Sequence, residues 1–116
     1  MIHLKNERTV DVKHNLRGGN GDPVFLHAFS KEELGGKADV LATVTLQPGE
    51  SIGEHPHVDN GEVYLILSGS ATVTEDGVPH TLTVGDAEYC GDGHTHSIAN
   101  HTAEPVTFLA FIAGNR

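Results

Sequence analysis

The 116 residues carry sixteen acidic against seven basic side chains, a net charge of -9, with 37% hydrophobic content and a single cysteine. That length fits one domain around one core, and the acidic balance excludes the Lys and Arg clusters that a nucleic-acid partner requires. No apolar run approaches the ~18 residues that cross a bilayer, the charged start Met1-Ile2-His3-Leu4-Lys5 has no signal-peptide core, and Cys90 alone makes no intrachain disulfide. The expectation is a soluble cytoplasmic protein with no membrane partner.

Residues 1–22 are polar and glycine-rich and read as an N-terminal arm or an edge strand, leaving residues 23–116 as one barrel domain. Ser30-Lys31-Glu32-Glu33 predicts one helical turn, with Ser30 as cap and Glu33 reaching back as a capping box. Residues 40–46 alternate, placing Val40, Ala42, Val44 and Leu46 on one face. Residues 62–67 and Val106 to Ala113 are apolar on both faces, which suits central strands or strands covered by a second subunit. Residues 71–75 and 78–83 flank Asp76-Gly77, a strong hairpin signal. Gly and Asn-Gly or Asp-Gly turns between short β-branched runs predict an all-β antiparallel sandwich or barrel. Phe25, Phe29, Phe108 and Phe111 read as core or interface, and Cys90 as a small buried apolar residue.

In a strand alternate side chains share a face, so His55 and His57 point the same way. Pro56 between them suits a strand end. Residues 58–61 turn the chain back, and Glu62 opens the next strand toward the same cavity. Tyr64 and Ile66 share the parity of Glu62 and face that cavity too, whereas Glu54 points outward. The segment Gly93-His94-Thr95-His96 offers a fourth ligand from either histidine. Three imidazoles and a carboxylate suit a divalent Mn, Fe, Co, Ni, Cu or Zn ion. In an octahedral field two adjacent positions remain for a small-molecule ligand. Every basic residue but Arg116 lies in the first 37 positions. An anion-binding pocket would therefore draw its cation from the arm, with Arg17 the candidate, in cis or from a partner subunit.

These spacings resemble the cupin family. The first cupin signature, G-x5-H-x-H-x4-E-x6-G, is met at Gly49, His55, His57, Glu62 and Gly69. The second, G-x5-P-x-G-x2-H-x3-N, is met at Gly85, Gly93, His96 and Asn100, with Gly91 in place of the proline. The resemblance spans about residues 40–112 and is to small single-domain bacterial cupins. It implies a double-stranded β-helix (jelly-roll) barrel, commonly a homodimer. It also implies a metal held by His55, His57, Glu62 and His96, with His94 left at the pocket mouth. The activity it implies is metal-dependent chemistry on a small polar metabolite (a sugar, diol, or keto or hydroxy acid), such as dioxygenation or isomerisation. The alternative is a non-catalytic metal-dependent sugar-binding module.

Overall fold

Short runs of Val, Ile, Leu and Thr favour extended backbone, and in the computed structural model, which describes residues 1–114, they form ten strands. Asn115 and Arg116, the end of the expected barrel domain, lie outside the described residues. In chain order the strands are β1 (Thr9–Val12), β2 (Val24–His27), β3 (Val40–Leu46), β4 (Ser51–Pro56) and β5 (Asn60–Ser68). They continue with β6 (Ser70–Glu75), β7 (Val78–Thr83), β8 (Ala87–Cys90), β9 (Thr95–Ala99) and β10 (Val106–Gly114). One sheet runs β1-β2-β3-β10-β5-β8 and the other β4-β9-β6-β7, with antiparallel pairing throughout. This is the expected double-stranded β-helix.

Inward side chains of both sheets make one core. Ala42, Val44 and Leu46 of β3 meet Tyr64 and Ile66 of β5 and Phe108 of β10, facing Ile52, Val73 and Ile98 across the barrel. The alternation expected for residues 40–46 holds, with Val40 half-buried against that cluster. The outer face of the six-stranded sheet is also apolar. Val10, Leu26, Thr43, Leu109 and Leu65 follow one another in register across five strands, and Leu41, Phe111, Val63 and Tyr89 run beside them. Leu67 and Tyr89 on that face are 46% and 64% exposed.

Two turns behave as their sequences dictate, one with a difference. Asp76 and Gly77 adopt φ of 47° and 82°, the paired left-handed geometry that matches the twist of a two-residue hairpin. At Ser30–Glu33 the capping box forms, with Ser30 N donating to the Glu33 carboxylate at 2.8 Å and Glu33 N to Ser30 Oγ at 3.1 Å. No helix propagates from it, because Gly35 and Gly36 follow at φ of 66° and 73° and break the repeat.

Strand β4 carries an irregularity that matters for the site. Ile52 pairs with Ile98 and His55 with His96, so three steps on β4 match two on β9. The extra residue is a β-bulge, and it turns Ile52 and His55 to the same interior face while Glu54 points to solvent.

The arm docks on this strand. Ser51 N donates to Asn20 O at 3.0 Å, Asn20 N to Ser51 Oγ at 3.0 Å, and Asp22 N to the Glu50 carboxylate at 2.7 Å. Gly19 and Gly53 approach so closely that a Cβ on Gly53 would overlap the Arg17 carbonyl, and one on Gly19 the Ser51 carbonyl. Within the docked loop Asn15 and Arg17 hold φ of 48° and 55°, a left-handed backbone uncommon outside glycine.

Candidate metal centre

His55, His57, Glu62 and His96 come together inside the barrel, all buried, with one donor atom of each within 4.8 Å of the others. The bulge in β4 delivers His55. His57 lies just past the end of that strand, fixed by backbone bonds from His57 N to His94 O at 3.0 Å and from Gly93 N to His57 O at 2.8 Å. Glu62 is the third residue of β5, which begins at Asn60, so the strand starts two residues earlier than the turn signal implied. His96 enters from β9 and is fully buried.

The imidazole faces are set by what lies behind them. His55 Nδ1–H donates to the Gly53 carbonyl at 2.8 Å, which can only accept. His57 Nδ1 meets Asn60 Oδ1 at 2.7 Å, and His96 Nδ1 meets the two Glu88 oxygens at 2.9 and 3.1 Å. With Nδ1 engaged outward, all three Nε2 atoms point inward, as outer partners arrange for metal-binding histidines. His96 Nε2 stands 3.1 Å from both His55 Nε2 and His57 Nε2 and 3.0 Å from Glu62 Oε1. His57 Nε2 lies 3.1 Å, and His55 Nε2 3.6 Å, from the same oxygen. Donors bound about 2.1 Å from one ion at right angles stand about 3 Å apart. The cluster suits a divalent ion in spacing, charge and donor chemistry.

The electrostatics carry the same demand. Burial by itself would raise the Glu62 pKa, yet bonds from His55, His57 and His96 overcome it and hold the carboxyl well below its usual range. Burial by itself would lower that of His96, yet Glu62 and Glu88 overcome it and push the imidazole up to about 9. A proton on His96 and a divalent cation would therefore compete for this centre. Tyr64 stacks on His96 with centroids 4.5 Å apart and planes within 6°. Burial, followed by the Glu62 and Glu88 charges, raises its pKa well above the ordinary value, so the phenol stays neutral.

A cavity of about 170 Å³ opens from the cluster, lined by His55, His57, Glu62 and Tyr64 on the barrel side and by Lys13 and Arg17 from the arm. Arg17 therefore reaches the cavity from the same chain. His94, expected at the mouth, does not line it; its ring pairs with Asp76 at 2.6 Å on the surface. Glu54 and Asp59 are exposed, as is His80. Cys90 is a buried thiol, pushed up to about 12 by burial and then by the Glu88 charge. Sequence reasoning missed Glu88, Asn60 and Lys13. For Glu88 the signal was present: Ala87 and Tyr89 point outward, so Glu88 and Cys90 share the inward parity of β8.

Residues 42–112 match the Cupin_2 family, a cupin domain. The chain belongs to the cupin family. This cupin is 35% identical over 112 residues to the oxalate-binding protein of Thermotoga maritima, covering 97% of this chain and 93% of that one. A crystal structure from the same organism, described as a predicted oxalate decarboxylase, superposes with a TM-score of 0.93 at 34% identity, covering 98% of this chain and 99% of that one. The chain is also 31% identical over 96 residues to the dimethylsulfoniopropionate lyase of Ruegeria pomeroyi, covering 78% of this chain and 62% of that protein.

Proposed function

We propose that this cupin binds a divalent first-row metal through His55, His57, Glu62 and His96 and uses it to hold a small dicarboxylate of the oxalate class. The observation that carries the reading is the cavity that joins those donors to Lys13 and Arg17. When bound, such an ion supplies Lewis acidity toward carboxylate oxygens. Glu88, Asn60 and the Gly53 carbonyl orient the imidazoles, Tyr64 walls the cavity, and the arm of residues 1–22 brings positive charge that the barrel lacks. At about 170 Å³ the space falls below the ~300 to 1,000 Å³ of sites for drug-sized ligands, so a ligand of few atoms fits. The oxalate-binding name of the Thermotoga maritima relative supports the same class.

Binding is favoured over turnover by the cavity wall. Among the described residues lining it, Glu62 is the one carboxylate, and both imidazoles belong to the metal cluster. A general acid or base of Asp, Glu or His type is therefore not placed beside the ligand. Calorimetric titration with oxalate, before and after chelator treatment, tests the reading. Metal-dependent binding without release of formate or carbon dioxide is expected. Equal binding by the chelated protein would sink it, and steady formate release would convert the binding protein into a decarboxylase.

A second copy covering the apolar outer face of the six-stranded sheet is part of the proposal, since Leu41, Leu65, Leu109 and Phe111 lie there in one patch. Light scattering at micromolar concentration should give a dimer mass; a strict monomer would refute it. A cytoplasmic location is proposed on the same terms and is checked by cell fractionation.

A further inference from the structure

Among the cavity-lining residues the cations are Lys13 and Arg17, and they differ in how they are occupied. Lys13 Nζ lies 2.9 Å from Asp11 and over the Phe25 ring at 5.9 Å. For Arg17 no hydrogen bond, ion pair or ring contact occurs among the described residues, although it borders a site with a buried carboxylate. Its backbone sits at φ 55° and ψ 30°, a conformation that costs energy in a non-glycine residue and persists where surrounding structure enforces it. The enforcement is visible: the Arg17 carbonyl packs against Gly53, two residues before His55, in a contact that admits no side chain. The described barrel after Lys37 contains no Lys or Arg to substitute for it.

We infer that Arg17 is the specificity-determining residue of the site. It reads the negative charge on the carboxylate oxygens that the metal leaves free. The inference rests on the dicarboxylate reading of the cavity. A chelating acid would give the metal one oxygen from each end, which leaves oxalate two outward carboxylate oxygens and glycolate one. A planar guanidinium donates two parallel bonds to a carboxylate, so a ligand that ends in a carboxylate is retained and one that ends in a neutral hydroxyl is not. The left-handed loop and the Gly19–Gly53 contact fix the Arg17 backbone beside the metal-bearing strand, and from there its exposed side chain lines the cavity. Selection between dicarboxylates and hydroxy acids is thus a property of the arm, and metal retention a property of the barrel.

Oxalate and glycolate titrated into metal-loaded protein, wild type beside Arg17→Ala, Arg17→Gly, Arg17→Lys and Lys13→Ala, test the assignment. Arg17→Ala should weaken oxalate roughly tenfold or more, the range lost with a charge-assisted bond, and leave glycolate within about twofold. Metal content by elemental analysis should not change. Arg17→Gly should lose oxalate equally while melting no lower than wild type, because glycine accepts the left-handed backbone. Arg17→Lys should recover part of the affinity, and Lys13→Ala should cost less than Arg17→Ala. Oxalate affinity in Arg17→Ala within about twofold of wild type, or a parallel loss for oxalate and glycolate, would overturn the assignment alone. Failure of the wild-type metal-loaded protein to bind oxalate would overturn the dicarboxylate reading and this inference with it.

Discussion

The cavity above the metal cluster and the pocket beneath the start of the chain make an instructive pair. The second is twice as large, about 350 Å³ against 170 Å³, and is lined by His3, His27, Phe29, Ser30 and Glu33 among others. Its polar groups satisfy one another. His3 Nε2 pairs with Glu33 at 2.7 Å, Lys31 with Asp39 at 3.2 Å, and Glu33 also accepts from Ser30 N at 2.8 Å. The smaller cavity differs: in the cluster it opens from, three Nε2 atoms converge on one Glu62 oxygen, and among the described residues no hydrogen bond or ion pair engages the Arg17 side chain that lines it. Spent hydrogen bonds describe a structural joint, here the seat of the arm. One buried carboxylate shared by three imidazoles, beside a cavity that two cations line, describes a site, whatever its volume.

Breaking the donor set should give the largest effect. His57→Ala or His96→Ala should remove most bound metal while circular dichroism still reports a folded barrel, because the apolar core is built from residues other than the four donors. Wild-type metal content in both variants would erase the distinction between the two cavities. Next comes the layer behind the ligands. Glu88→Ala should weaken metal about 10- to 100-fold, the usual range for outer partners of metal-bound histidines. Glu88→Gln, which keeps an acceptor for His96 Nδ1, should cost less. Competition with a chromogenic chelator measures both, and equal losses would point to charge rather than orientation.

A third test uses pH on the metal-free protein. His96 is raised from an ordinary 6.5 to about 9, so its stabilising effect is complete below 6.5 and fades as pH climbs toward 9. Glu62 is lowered from 4.5, so its share is complete above 4.5 and fades as acid protonates it. The metal-free barrel should therefore melt highest between about pH 4.5 and 6.5, with Tm falling toward 9. Metal affinity should climb over that same upper range as the proton leaves His96. A melting temperature that rises from pH 6.5 to 9 without metal would contradict the proton assignment. The smallest effect belongs to the larger pocket: Ser30→Ala should cost up to about 1 kcal/mol in denaturant unfolding, as loss of a cap does, with metal content unchanged. A change in metal content there would blur the contrast from its other side.

Much of this was readable in advance because strand chemistry has period two. Once His55 and His57 share a face and Glu62 leads the returning strand, the donors meet, and the Asp76-Gly77 hairpin carries its own turn geometry. What escaped depends on partners distant in sequence. Glu88 matters because β8 pairs with β5, placing Glu88 opposite Tyr64 and within reach of His96. The bulge at Gly53-Glu54 becomes visible only when β4 is laid against β9. His94 and His96 have the same strand parity, and the Asp76 turn decides between them by capturing His94 at the surface. The reach of Arg17 into the cavity follows from two glycines, at 19 and 53, that allow backbones to touch.

That glycine contact has a consequence for interchangeability. The loop from Lys13 to Asp22 is fastened to β4 mostly by main chain, through Asn20, Ser51 and the paired glycines, and to the interior by Leu16, which packs against the core. A loop of equal length that keeps Leu16 and the glycines at 18, 19 and 21 would seat on the same strand without repacking the interior. The barrel is then a socket, and new chemistry at its mouth is a matter of changing the plug.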